Sequence, residues 1–231
     1  MVAWLSLATS ASFAGEELIQ TAQRAGGEAV SYILNRNEPE PKYVVILFPG
    51  GAGTLNPRME GGKLVYGYAG NFLIRSRLLL VDDDVATVAT NSTRVEEQVQ
   101  AVLDDIGRRF PKAQVYLMGT SNGTYATMEL AGYLSGRIAG EIHTSSLQRI
   151  YNFDARKYKN RHLVVHHKED SCRVTPFSSA KASHERYGNE FIAMEGGMSV
   201  GDACEAYSYH GYNGIERETM DAIRNWVKQP R

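Results

Sequence analysis

Short, wholly apolar runs and longer amphipathic runs take turns along this chain. Residues 43–48, YVVILF, are apolar without interruption and β-branched in part, the pattern of a strand buried on both faces. Residues 114–118 (QVYLM), 140–146 (GEIHTSS), 161–167 (RHLVVHH) and 190–195 (EFIAME) read as further strands. One or two more are expected within 78–89, LLLVDDDVATVA, where three aspartates blur the limits. Between them the period changes. Val95, Val99, Val102, Ile106 and Phe110 recur at helical spacing, Thr93 and Glu96 form a candidate capping box, and Pro111 ends the run. YATMELAGYL, FSSAKASHERYG and IERETMDAIRNWVK are the other expected helices, the last with Ile215, Ile223, Trp226 and Val227 near one face. Strands that alternate with helices imply a mostly parallel sheet covered on both sides. In such sheets ligands bind at the carboxyl ends of the strands, so the residues just after each strand carry the interest.

Composition narrows the picture little. The 231 residues carry a net charge of −1 with no basic stripe, which argues against nucleic acid as a partner. No apolar run reaches the roughly 18 residues of a membrane-spanning helix. Residues 2–14 are small or apolar and uncharged, and Ser12-Phe13-Ala14 before Gly15 fits a small-x-small cleavage site. A partial signal peptide over 1–14 is therefore expected, although no basic residue precedes it, with one domain over 15–231 and a periplasmic or secreted location. The alternative is a buried N-terminal helix. Cys172 and Cys204 are the two cysteines; they would be free thiols in a reducing cytosol and can pair after export. Neither has zinc-ligand spacing around it, and no metal or cofactor is expected.

Three strand ends hold candidate chemistry. Gly119-Thr120-Ser121-Asn122-Gly123 is a G-x-S-x-G between an expected strand and an expected helix. Small flanks let a serine occupy so sharp a corner and present its Oγ at a helix N-terminus; the alternative is an ordinary helix cap. Asp170 follows the strand 161–167 and is placed to accept a hydrogen bond from a histidine Nδ1, with Glu169 as its rival. His210 lies in the loop before the last helix, the position of a base between Ser121 and Asp170. His166 and His167, at the strand end, are read as packing and hydrogen-bonding residues, while His143, His162 and His184 fall inside expected elements. Gly50-Gly51-Ala52-Gly53 ends the first buried strand; the N–H of Gly51 or Ala52, with that of Asn122, would form an oxyanion hole. A phosphate loop is the weaker reading, because neither G-K-[ST] nor G-x-G-x-x-G is present.

From residue 43 to the C-terminus these parts together resemble a serine hydrolase of the α/β-hydrolase fold: FPGGAG as oxyanion turn, GTSNG as nucleophile elbow, HHKEDSCRVTP as acid loop and HGYNG as histidine loop. His167 stands where the family's acid motif often has glycine. The resemblance implies a mostly parallel sheet flanked by helices, and acyl transfer by Ser121, His210 and Asp170. A carboxylic ester is the expected substrate; an amide, a peptide or a polyester, or binding without catalysis, are the alternatives. It also implies a disulfide between Cys172 and Cys204 if the acid and histidine loops face each other. The short stretch between HTSS and RHLVV leaves no room for a cap domain. Tyr66, Tyr68 and Phe72, within the long insertion 54–76, either line a substrate pocket or belong to the core.

Overall fold

The computed structural model describes residues 15–24, 26–27 and 29–230. The segment read as a leader, 1–14, lies outside them. In chain order the elements are β1 (Glu16–Gln23), β2 (Ala29–Arg36), β3 (Tyr43–Phe48), β4 (Arg58–Glu60), β5 (Lys63–Val65), α1 (Phe72–Leu80), β6 (Val85–Ala89) and α2 (Glu96–Arg109). Then come β7 (Gln114–Thr120), α3 (Gly123–Leu134), β8 (Gly140–Thr144), β9 (Arg161–His167), α4 (Phe177–Tyr187), β10 (Glu190–Met194) and α5 (Glu216–Lys228). Eight strands form one sheet in the order β1-β2-β6-β3-β7-β8-β9-β10, and β4 pairs with β5 as a separate hairpin. β1 and β2 pair antiparallel, as do β2 and β6; every other neighbour is parallel.

The uninterrupted apolar strands follow from this layering. In β3, Val44, Ile46 and Phe48 face α2 and α3, while Val45 and Leu47 face α1 and α5. Both faces of the strand are thus removed from water, and no polar alternation is tolerated. α5 shows the complementary pattern. Met220, Ile223, Trp226 and Val227 form its buried stripe against the sheet. Burial of Met220, Ile223 and Val227 contributes about 1.5–3 kcal/mol each in transfer terms.

The structure departs from the sequence reading in four places. Residues 78–80 end a helix, α1, and only 85–89 form a strand. The Thr93–Glu96 capping box does not form: α2 begins at Glu96, and the Thr93 hydroxyl accepts from Val95 N–H in a local turn. Strand β8 stops at Thr144, short of Ser145 and Ser146. Strands β1 and β2, helix α1 and the hairpin were not anticipated. Residues 147–160 hold two short 3₁₀ turns, Gln148–Asn152 and Ala155–Lys157. No separate cap domain occurs among the described residues, and no helix there is long and apolar enough to cross a membrane.

Candidate active site

Ser121 stands between β7 and α3 with φ of 50°, in the left-handed region that a side chain rarely adopts. Such a residue costs on the order of 1–3 kcal/mol and persists where its surroundings over-determine it. Its N–H donates to Thr144 O at 3.1 Å, and its carbonyl accepts from Thr124 N–H at 3.0 Å. The flanking glycines are required by contact. A Cβ on Gly119 would lie 2.5 Å from Gly123 O, and one on Gly123 would run into Phe48 O. The elbow is also tied to the glycine turn after β3, because Asn122 Nδ2 donates to Gly51 O at 2.7 Å.

Asp170 lies just past β9 and is buried, whereas Glu169 is exposed. Its Oδ1 accepts from Cys172 N–H at 2.9 Å. Its Oδ2 faces His210 Nδ1 at 3.0 Å, His166 Nε2 at 3.1 Å and Thr175 Oγ1 at 3.2 Å. An ionised carboxylate only accepts, so Nδ1 of His210 carries its proton and leaves Nε2 bare. Burial pushes the Asp170 carboxyl up, but the hydrogen bonds from His166 and His210 outweigh it and hold the group well below the usual carboxylate range.

His210 sits on a short 3₁₀ turn, Tyr209–Gly211, whose position is fixed from several sides. Its N–H donates to Ser208 Oγ, and its carbonyl accepts from Ser145 Oγ at 2.7 Å. Ser145, with φ of 41°, also donates its N–H to the Tyr212 hydroxyl, which in turn donates to Val165 O. Arg75 donates to Gly70 O and Gly211 O, both at 2.7 Å, and pairs with Glu216. Cys172 and Cys204 form a disulfide, which joins the acid loop to the segment before His210.

Ser121 and His210 line one open cleft of about 460 Å³. No hydrogen bond joins Ser121 Oγ to the ring among the described residues; unliganded catalytic pairs commonly tighten only on substrate. Tyr68, Phe72, Tyr207 and Glu205 also line the cleft. Tyr66 does not: its hydroxyl accepts from Arg77, whose guanidinium lies over its ring. Tyr68 instead takes the N–H of Ala52 on its hydroxyl at 3.1 Å. Of the two N–H groups expected to face an oxyanion after β3, that of Ala52 is thus engaged by Tyr68. Thr175, Ser145, His166 and the Asn122 side chain belong to the site but carry no sequence signal, since each acts through a contact made only in the fold.

No family model matches the sequence, and the search of curated proteins finds no match. Solved structures do match over nearly the whole chain. A lidless member of the α/β serine hydrolases from Xanthomonas campestris is 14% identical and superimposes with a TM-score of 0.63, covering 94% of this chain and 97% of its own. Est1E from Butyrivibrio proteoclasticus is 17% identical with a TM-score of 0.65, over 90% of this chain and 97% of its own. An acylaminoacyl peptidase matches at 13% identity and a TM-score of 0.57, over 93% of this chain and 41% of its own. With the strand order above, these likenesses show that the chain adopts the α/β-hydrolase fold.

Proposed function

We propose that this chain is a serine hydrolase that cleaves carboxylic esters through Ser121, His210 and Asp170. One observation carries the reading. A serine held at positive φ on a strand–helix corner opens on the same cleft as a histidine whose Nδ1–H is bound to a buried carboxylate. Ser121 Oγ attacks the ester carbonyl carbon while its proton passes to His210 Nε2. Negative charge gathers on the carbonyl oxygen, where the N–H groups of Asn122 and Gly51 receive it. Collapse expels the alcohol, which takes the proton back from His210. Water activated by the same nitrogen then releases the acid from Ser121. Asp170 keeps the ring in the required tautomer and stabilises the imidazolium.

The open cleft, walled by Tyr68, Phe72 and Tyr207, suits short or extended acyl groups, and Glu205 on the wall disfavours anionic ones. The disulfide fits an oxidising, extracytoplasmic setting, in line with the signal-like stretch at 1–14. The likeness to a peptidase supports a second reading, amide cleavage by the same residues. The test is hydrolysis of a chromogenic acetate, then of the matching anilide. Ester turnover that falls by several orders of magnitude in Ser121→Ala, with an unchanged melting temperature, is expected. No turnover above the buffer rate by either protein would leave only a binding role, equal turnover by both would remove Ser121 from the reaction, and a preference for the anilide would favour the amidase.

A further inference from the structure

A second histidine–carboxylate cluster lies outside the cleft, on the face of β8 and β9 that packs against α3. Glu141 and His143 stand two apart on β8 and so share a face, and His162 pairs with Glu141 across the β8–β9 register. All three are buried, Glu141 and His143 completely. His162 Nδ1 is 3.3 Å and His143 Nε2 is 4.0 Å from Glu141 Oε2, and the three donor atoms lie within 4.8 Å of one another. The two imidazole rings are parallel to within 2°, and Phe153 packs edge-on against both.

The hydrogen-bond accounting is incomplete here. Thr127 Oγ1 donates to Thr124 O, so its contact with His143 Nδ1 at 2.9 Å is one in which the imidazole donates. His143 Nε2 is therefore a bare lone pair aimed at the carboxylate. Both Glu141 oxygens, His143 Nε2 and both His162 nitrogens have no hydrogen-bond partner among the described residues. A proton shared between Glu141 and His162 would satisfy two of these atoms. It would leave His143 Nε2 facing an oxygen 4.0 Å away, beyond hydrogen-bond reach. A cation held by one oxygen and two nitrogens satisfies three at once and neutralises the carboxylate. Bonds of about 2.0–2.1 Å in a tetrahedron put ligand atoms about 3.3–3.5 Å apart; His162 Nδ1 already stands 3.3 Å from Glu141 Oε2, and His143 Nε2, at 4.0 Å, has to draw in to complete the set.

We propose that Glu141, His143 and His162 bind a divalent transition-metal ion of the zinc class. Two imidazoles and one carboxylate suit zinc and its neighbours; calcium and magnesium prefer oxygen throughout. Thr127 supplies the outer contact that fixes the tautomer of a ligating histidine. His162 forms part of the lining of a surface cleft of about 190 Å³ with Asn160 and Tyr187, which gives the ion a way in. The ion would join β8 to β9 beneath α3 and act on stability rather than on the acyl transfer.

The test uses the full chain, stripped with a chelator and titrated with zinc chloride against a chromogenic chelator. About one zinc per chain is expected, with a rise in melting temperature of roughly 5–10 °C at about 100 times Kd. Glu141→Gln and His143→Gln should lose this uptake, and His210→Asn should keep it. Should either variant fail to fold, cobalt(II) added to the native chain decides by itself. Intense visible bands of a tetrahedral site support the proposal, and a spectrum like that of the aqueous ion overturns it. Zinc uptake that is absent from the native chain, or unchanged in both variants, overturns it as well.

Discussion

Asp170 and Glu141 are two buried carboxylates one strand apart in the same sheet, each beside two histidines, and they are treated in opposite ways. Asp170 receives donors from two imidazoles, a hydroxyl and a backbone N–H. Glu141 has no well-aligned hydrogen bond among the described residues: His162 Nδ1 stands 3.3 Å from its Oε2, and His143 Nε2 offers it a lone pair. Burial penalises both charges, Glu141 the more heavily; what further separates them is the direction in which neighbouring protons point. A satisfied carboxylate can remain an anion and steer a proton relay. An unsatisfied one needs a proton or a metal of its own. The difference teaches that a histidine near an acid is no guide to role until each ring's tautomer is worked out.

The comparison breaks first on activity. Asp170→Asn should lower kcat by on the order of 10³–10⁴-fold, because the neutral amide no longer enforces the tautomer that leaves His210 Nε2 bare. Glu141→Gln should leave kcat near that of the native chain and abolish zinc uptake. Paired assays of ester turnover and zinc stoichiometry on the two variants check both expectations; a matching loss of kcat in both would erase the distinction. Next in size is the disulfide. Replacement of both Cys172 and Cys204 by serine releases a closure spanning 32 residues, worth roughly 3–4 kcal/mol in the chain-entropy model. Calorimetry should show a melting temperature lower by roughly 10 °C.

Smaller effects sharpen the picture of the satisfied site. Asn122→Ala removes the brace on Gly51 and should lower kcat about tenfold with little change in KM, the cost of roughly one hydrogen bond. Acid stability supplies the last contrast. The folded-state pKa of Asp170 lies below its ordinary value of 3.8. The stability it contributes is therefore present above that pH and is lost as pH falls toward the folded value. Melting curves between pH 4 and 2 should show the fall, and Asp170→Asn should flatten it.

Legibility in the sequence followed the locality of the cause. Tyr43–Phe48 and Arg161–His167 were readable as strands because burial on both faces leaves an apolar run within one segment. The first two strands were not: EELIQTAQ lies at the sheet's edge, where solvent reaches it, and AVSYILNR, paired on both sides, is fully buried only over its second half, Tyr32–Asn35. Helix α1, FLIRSRLLL, has no polar stripe; its buried Arg77 donates to Ile74 O within the helix and to Glu17 and Tyr66 from elsewhere in the chain. Within the site, the elbow at Ser121 was legible because its glycines act over four residues. The role of Ser145 under His210, and of Thr175 between acid and base, depends on contacts across 65 and 35 residues. His143 and His162 were read only as residues inside expected elements and Glu141 was not singled out, because β8–β9 register, which no spacing in the chain announces, is what brings His162 to the other two.

The cystine between residues 172 and 204 has a further consequence. It connects the loop bearing the carboxylate to the segment leading into the imidazole, so the redox state of the surroundings reaches the proton-handling pair directly. The disulfide adds a covalent limit on how far the two loops can part.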